Sequence, residues 1–172
     1  VRVRVATSHF QLETIPMELI INLSEQWLEL RGTRTERFAI SSAANGAGEA
    51  MGSGATPRGA HVVRARFGAG LPPGAVLLGR KFSGEVFDAE LGARFPERDW
   101  VLSRILWLGG LEPGQNLGAD VDSFRRFIYI HGTPDSEPMG TPASHGCIRM
   151  RNDAVIRLFD QVPVGTRVTI TD

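Results

Sequence analysis

One stretch of this chain concentrates the side chains that can do chemistry. FIYIHGTPDSEPMGTPASHGCIRMRN, residues 127–152, carries His131 at the end of an apolar run and sets His145 two positions before Cys147, the only cysteine among 172 residues. A thiol with a pKa of about 8.5 is only a few per cent thiolate at neutral pH, so full activation is worth roughly 2 kcal/mol, usually supplied by a neighbouring imidazole. Either histidine could supply it. His145 and Cys147 at i and i+2 would point the same way on a strand, but a turn around Gly146 need not present that ring to the sulfur. His131 sits at the mouth of a separate strand and can approach the sulfur side-on, which favours it as the proton acceptor. Gly146 also lets the backbone turn tightly, so that N–H groups of Gly146 and Cys147 could converge on the oxygen of an attacked carbonyl.

Spacing alone leaves other readings open. Free cysteine is a common core residue and histidine often ends strands, so Cys147 with its two histidines also fits a purely structural role. A zinc site from His131, His145 and Cys147 lacks a fourth ligand and the paired-cysteine spacing. A hydrolase using Ser144 lacks the G-x-S-x-G elbow.

SHGCIRM (144–150), preceded by IYIHGT (128–133) and, much earlier, by ATPRG (55–59), resembles the L,D-transpeptidase catalytic domain, the YkuD family. The likeness runs from about residue 17 to the C-terminus and rests on three ordered motifs. It implies that Cys147 is the nucleophile, His131 its general base, and the carbonyl of Gly132 the group that orients His131. His145 would shape the oxyanion site together with the N–H groups of Gly146 and Cys147. Ser144, grouped with the substrate-binding residues, would hold the turn, and Arg149 would bind a substrate carboxylate or else pair with a nearby acid. Thr56, Pro57 and Gly59 would brace the cleft. Arg104, Arg125 and Trp107 could line the substrate path or be packed or solvated strand residues. The loop from His131 to Ser144 is compact, which suggests a more open cleft than in many family members.

The substrate implied by the resemblance is the peptidoglycan stem tetrapeptide or a muropeptide carrying it, cut between a diamino acid at position three and D-alanine. The thioester left on Cys147 would pass to water, giving L,D-carboxypeptidation and muropeptide trimming, or to an amine, giving 3→3 cross-links. A peptidoglycan-binding domain with an idle Cys147 is the reading from a different class. No cofactor or metal is implied.

Strands must position these residues. Gly and Pro clusters punctuate short apolar stretches, and the predicted class is mainly β (α+β), with sandwich-like mixed sheets. Val1, Val3 and Val5 alternate with Arg2 and Arg4, and residues 18–32 read as a hairpin broken at Ser24-Glu25. Further strands are expected at 37–43, 60–68, 75–82, 103–110, 125–132 and 166–170. One helix is expected over 152–161, with Asn152 as N-cap and Ala154, Val155, Leu158 and Phe159 on one face. The stretches 83–102 and 111–124 read as irregular, in the manner of lids or binding loops.

Composition bounds the rest. At 172 residues the chain reads as one domain, 1–172, and 42% hydrophobic residues with 20 Gly and 10 Pro argue against collagen-like or disordered classes. Lys+Arg and Asp+Glu are both 19, so no whole-molecule field gathers nucleic acid, and charge recognition must come from local clusters. A single cysteine allows no intrachain disulfide. No run approaches the roughly 20 apolar residues of a membrane span, and no apolar signal core opens the sequence. The expectation is therefore cytoplasmic, or periplasmic if a signal peptide has been removed, since the first residue is Val.

Overall fold

The computed structural model describes residues 16–172; the alternation at Val1, Val3 and Val5 lies outside the described residues. Leu19 and Ile21 of β1 (Glu18–Asn22) are buried between half-exposed neighbours, the period of two of a strand with one face in the core. The chain turns at residues 23–26 into β2 (Trp27–Arg31), pairing Asn22 with Trp27 in the expected hairpin. β3 (Glu36–Ala39), β4 (Gly59–Phe67), β5 (Ala75–Leu78), β6 (Lys81–Val86) and the short helix α1 (Ala89–Arg94) follow. Then come β7 (Leu102–Gly110), a turn of 3-10 helix at Ala119–Val121, β8 (Tyr129–Gly132), β9 (Ile148–Met150), α2 (Asn152–Gln161) and β10 (Arg167–Thr171).

The molecule is mostly β, and its ten strands form one continuous curled mixed sheet in the order β3-β2-β1-β10-β4-β7-β5-β6. β8 branches from β7 and carries β9 beyond it. β1 with β10 and β8 with β9 run parallel; the other pairings are antiparallel. Two limbs of this sheet share the main core. Leu19, Ile21, Val168 and Ile170 from one limb share it with Leu106, Ile130, Ile148 and Met150 from the other, and Val155, Leu158 and Phe159 of α2 seal it. Each such side chain contributes about 1.5–3 kcal/mol by leaving water.

Several elements differ from their sequence expectations. Residues 75–82, expected as one strand, are a hairpin: Leu78 pairs with Lys81, and Gly79 (φ 52°) and Arg80 (φ 68°) both adopt positive φ, the signature of a tight type I′ connection. The stretch 83–102 is more regular than expected, holding the end of β6 and α1, which Asp88 caps by accepting from the Leu91 N–H. The strand expected from 125 begins only at Tyr129, because a turn closes from Phe124 to Phe127, whose φ is 57°. α2 spans 152–161 as expected, but Arg151 occupies the N-cap position without a side-chain cap bond. Asn152 lies inside the helix because its side chain is used elsewhere: Oδ1 accepts from Ser103 Oγ (2.6 Å) and Nδ2 donates to Thr133 O (3.1 Å). No helix among the described residues is long and apolar enough to cross a membrane.

Candidate active site

Strand register builds the site. β8 and β9 pair with His131 opposite Arg149, and β7 sets Ile105 opposite His131 and Trp107 opposite Tyr129. Side chains alternate along strands, so Trp107, Ile105, Tyr129, His131, Arg149 and, two residues before it, Cys147 share one face. Leu106, Ile130, Ile148 and Met150 point the other way, into the core under α2. The candidate residues therefore sit on the outer face of strands whose inner face is locked by packing.

Cys147 is partly buried and held from both sides by main chain. The Tyr129 N–H donates to Sγ (3.4 Å), and the thiol reaches Phe127 O (3.3 Å). Burial pushes its pKa up to about 11, and the Tyr129 N–H and the arginines 149 and 126 only partly offset it. His131 is buried, with Nδ1 2.7 Å from Gly132 O. That bond makes Nδ1 the donor and leaves Nε2 as the basic nitrogen; among the described residues Nε2 has no hydrogen-bond partner. Burial lowers the pKa of His131, despite the Gly132 carbonyl and the charge of Asp99, so the resting pair is thiol and neutral imidazole.

The turn before the thiol depends on its small residues. Gly146 has φ 132°, a conformation other residues adopt only with strain, and its carbonyl accepts from Thr56 Oγ1 (2.9 Å). Its N–H donates to Ser144 Oγ (3.2 Å), and that hydroxyl in turn donates to Cys147 O. Gly132 admits no side chain, since a Cβ there would lie 2.4 Å from Asn152 Oδ1 and 2.6 Å from Leu102 O. Among the described residues no group of three or more His, Cys, Asp or Glu is arranged to hold a metal ion.

Charge beside the thiol is organised around Arg149, whose side chain is 6% exposed. One nitrogen meets Asp99 (2.8 Å) and another Glu137 (2.9 Å), so its guanidinium is paired within the chain. Burial raises the Asp99 carboxyl, but Arg149, His145 and His131 outweigh it and hold the pKa below the ordinary value. His145 also touches Asp99 (3.2 Å) and is otherwise open, with a side chain 78% exposed. Two hollows border this cluster. One of about 390 Å³, lined by Met51, Arg125, Phe127, Ile128 and His145, abuts the thiol loop; a larger cleft of about 840 Å³ lies past Glu137, between Phe87, Trp100, Arg98 and Pro134.

Of the residues expected along the substrate path, the fold separates two. Trp107 stacks on Phe124 (3.8 Å), meets Tyr129 edge-on and belongs to the apolar cluster that includes Cys147. Arg104 faces the opposite side of β7, buried over the ring of Phe159 in α2 with its guanidinium on Leu71 O and Ser103 O. It is a packed strand residue and lines no part of the thiol face.

Nearly all of the described chain matches one family: the description YkuD: L,D-transpeptidase catalytic domain fits residues 16–170. The chain belongs to the YkuD family. Its relatives include the putative L,D-transpeptidase YqjB of Bacillus subtilis (strain 168), 53% identical over 57 residues, which are 33% of this chain and 32% of that protein. The probable L,D-transpeptidase ErfK/SrfK of Escherichia coli (strain K12) is 47% identical over 60 residues, 35% of this chain and 19% of that protein. The matches thus span about a third or less of these relatives' length. Among solved structures, L,D-transpeptidase 3 from Mycobacterium tuberculosis superposes with a TM-score of 0.55 at 13% identity, covering 92% of this chain and 62% of that one. LdtMt1 in complex with imipenem gives 0.52 at 16%, covering 91% and 59%. At these identities the likeness is one of fold.

Within this YkuD domain, several residues that build the site carry no motif. Asp99, from the stretch read as irregular, pairs with Arg149 and His145; Asn152 clamps the strand end after Gly132; Arg126 donates to Gly48 O, Glu49 O, Ser53 Oγ and Ala55 O, binding the 44–59 loop beside the thiol. Asn152 was marked in the sequence only as a helix cap, and Arg126 only by standing next to Arg125.

Proposed function

We propose that this YkuD domain is a cysteine acyl-transfer enzyme that cuts peptidoglycan stem tetrapeptides between the diamino acid at position three and D-alanine. The supporting observation is His131, with Nδ1 engaged by Gly132 O and Nε2 unpartnered on the face that carries Cys147. Because both groups rest neutral, proton transfer accompanies attack: Nε2 takes the thiol proton as sulfur bonds to the carbonyl carbon. The C–N bond then breaks, His131 returns the proton to the departing D-alanine nitrogen, and a thioester remains. The Cys147 N–H, with His145, faces the developing oxyanion, while the Gly146 N–H is held by Ser144 Oγ.

Water is the proposed acceptor, since His145 beside the thiol is open to solvent. An amine acceptor, giving cross-links, is the competing outcome of one assay. Purified protein is incubated with a disaccharide-tetrapeptide, with and without excess acceptor stem, and products are weighed by mass spectrometry. Tripeptide alone supports hydrolysis; dimers assign transpeptidation. The LdtMt1–imipenem complex motivates a second readout: imipenem should add covalently to the wild-type chain and not to Cys147→Ala. An adduct that persists in Cys147→Ala refutes the nucleophile.

A further inference from the structure

With Arg149 buried between Asp99 and Glu137 and the N–H groups of Arg126 taken by the 44–59 loop, a carboxylate arriving at the thiol needs another cation. Arg80 is placed for it. It stands at the tip of the β5–β6 hairpin, half-buried, at φ 68°, a backbone conformation in which Gly or Asn is the unstrained choice. Its guanidinium lies 4.7 Å above the Trp107 ring and 5.6 Å from that of Phe127, and Nη1 donates to the Tyr129 hydroxyl (3.0 Å). Tyr129 and Phe127 are the two residues whose main chains bracket the Cys147 sulfur. Among the described residues no carboxylate lies within ion-pair distance of Arg80, unlike Arg149 on the same face. One donor hydrogen goes to the tyrosine and the ring faces are shielded by aromatics, so the remaining N–H fork is oriented and unspent.

We propose that Arg80 is a substrate-binding residue that takes a carboxylate of the donor peptide, through the guanidinium that Trp107, Phe127 and Tyr129 hold on the strand face that carries the thiol. The inference rests on the acyl-transfer reading for the identity of its substrate, but its core, anion recognition at Cys147, is testable without it. The carboxylate has two sources in a stem peptide, the C-terminal group of D-alanine and a side-chain carboxyl of an earlier residue.

The first test compares alkylation of Cys147 by iodoacetate and by iodoacetamide. Any change in thiolate population affects both reagents equally, so their rate ratio reports attraction of the anion alone. Arg80→Gln should lower the iodoacetate-to-iodoacetamide ratio about fivefold, Arg80→Lys should restore part of it, and Arg125→Gln, at the neighbouring hollow, should leave it near the wild-type value. An unchanged ratio in Arg80→Gln, or a fall in Arg125→Gln instead, overturns the proposal. The second test follows tetrapeptide turnover. Arg80→Gln should raise KM about tenfold with little change in kcat, and the penalty should vanish on whichever peptide has the recognised carboxylate amidated, C-terminal or side-chain. A penalty that survives on both amidated peptides overturns it. Absence of wild-type turnover with an intact reagent ratio would remove the stem-peptide reading and leave the anion site standing.

Discussion

Two histidines in this molecule are built on the same device, a ring nitrogen held by a main-chain carbonyl, and they differ in what the second nitrogen meets. His61 of β4 sets Nδ1 against Gly59 O (3.0 Å) and Nε2 against Ser123 Oγ (2.8 Å). His131 of β8 sets Nδ1 against Gly132 O (2.7 Å) and leaves Nε2 unpartnered on the face shared with Cys147. Burial lowers both pKa values, so both rings are neutral at pH 7. By inventory His61 is the more complete constellation, a hydroxyl, a base and an orienting carbonyl in line. Yet His61 and Ser123 are each 0% exposed, so no carbonyl carbon can reach that hydroxyl. Orientation by a carbonyl is common to both rings; what separates them is whether the second nitrogen is spent.

The sharpest way to break the comparison is to remove each ring. His131→Ala should lower the rate of Cys147 alkylation at pH 7, and of any peptide turnover, by two to four orders of magnitude, the range of a lost general base. The thiol held near 11 by burial would then have no acceptor at neutral pH. An alkylation rate within threefold of wild type would place the base elsewhere, and His145 is the residue to examine next.

What the sequence disclosed follows the same division. The motif 144–150 and His131 are legible through the resemblance to the YkuD family; their spacing alone leaves a structural role open. The helix at 152–161 and the hairpin at 18–32 were legible from periodicity. Asp99 was not, because it reaches Arg149 across 50 positions of sequence from a segment with no hydrophobic period. Asn152 read as a cap because it precedes an apolar face; its side chain is instead drawn to Ser103 and Thr133 by strands that sequence proximity does not bring near. Arg104 and Trp107 lie on one strand three residues apart, and only the pairing of Ile105 with His131 decides which of them faces the thiol.

Ser123→Ala sharpens the contrast from the structural side. It leaves Nε2 of His61 buried without its partner, which should cost about 1–3 kcal/mol of stability by denaturant unfolding. Alkylation and turnover per folded molecule should stay at wild-type levels. A loss of activity larger than the loss of folded protein would mean that the His61 region communicates with the thiol.

The smallest effect expected is in pH dependence, and it separates the two rings by sign and by site. A histidine whose folded pKa lies below its unfolded value near 6.5 remains neutral in the fold while the unfolded chain takes up a proton. Stability is therefore full above that value and is lost as pH falls through it toward the folded pKa. His61 and His131 both carry this sign, so unfolding free energy should decline on acidification in the wild type. His61→Gln keeps a side-chain amide for Ser123 and removes one titration, so the slope between about pH 6.5 and pH 5 should fall by up to roughly 1.4 kcal/mol per pH unit. On the proposed assignment of His131 as the base, the pH profile of Cys147 alkylation should not move in the same variant. A shift in that profile would show that the two histidines are coupled, and the distinction between a sealed ring and a working one would then be a matter of degree.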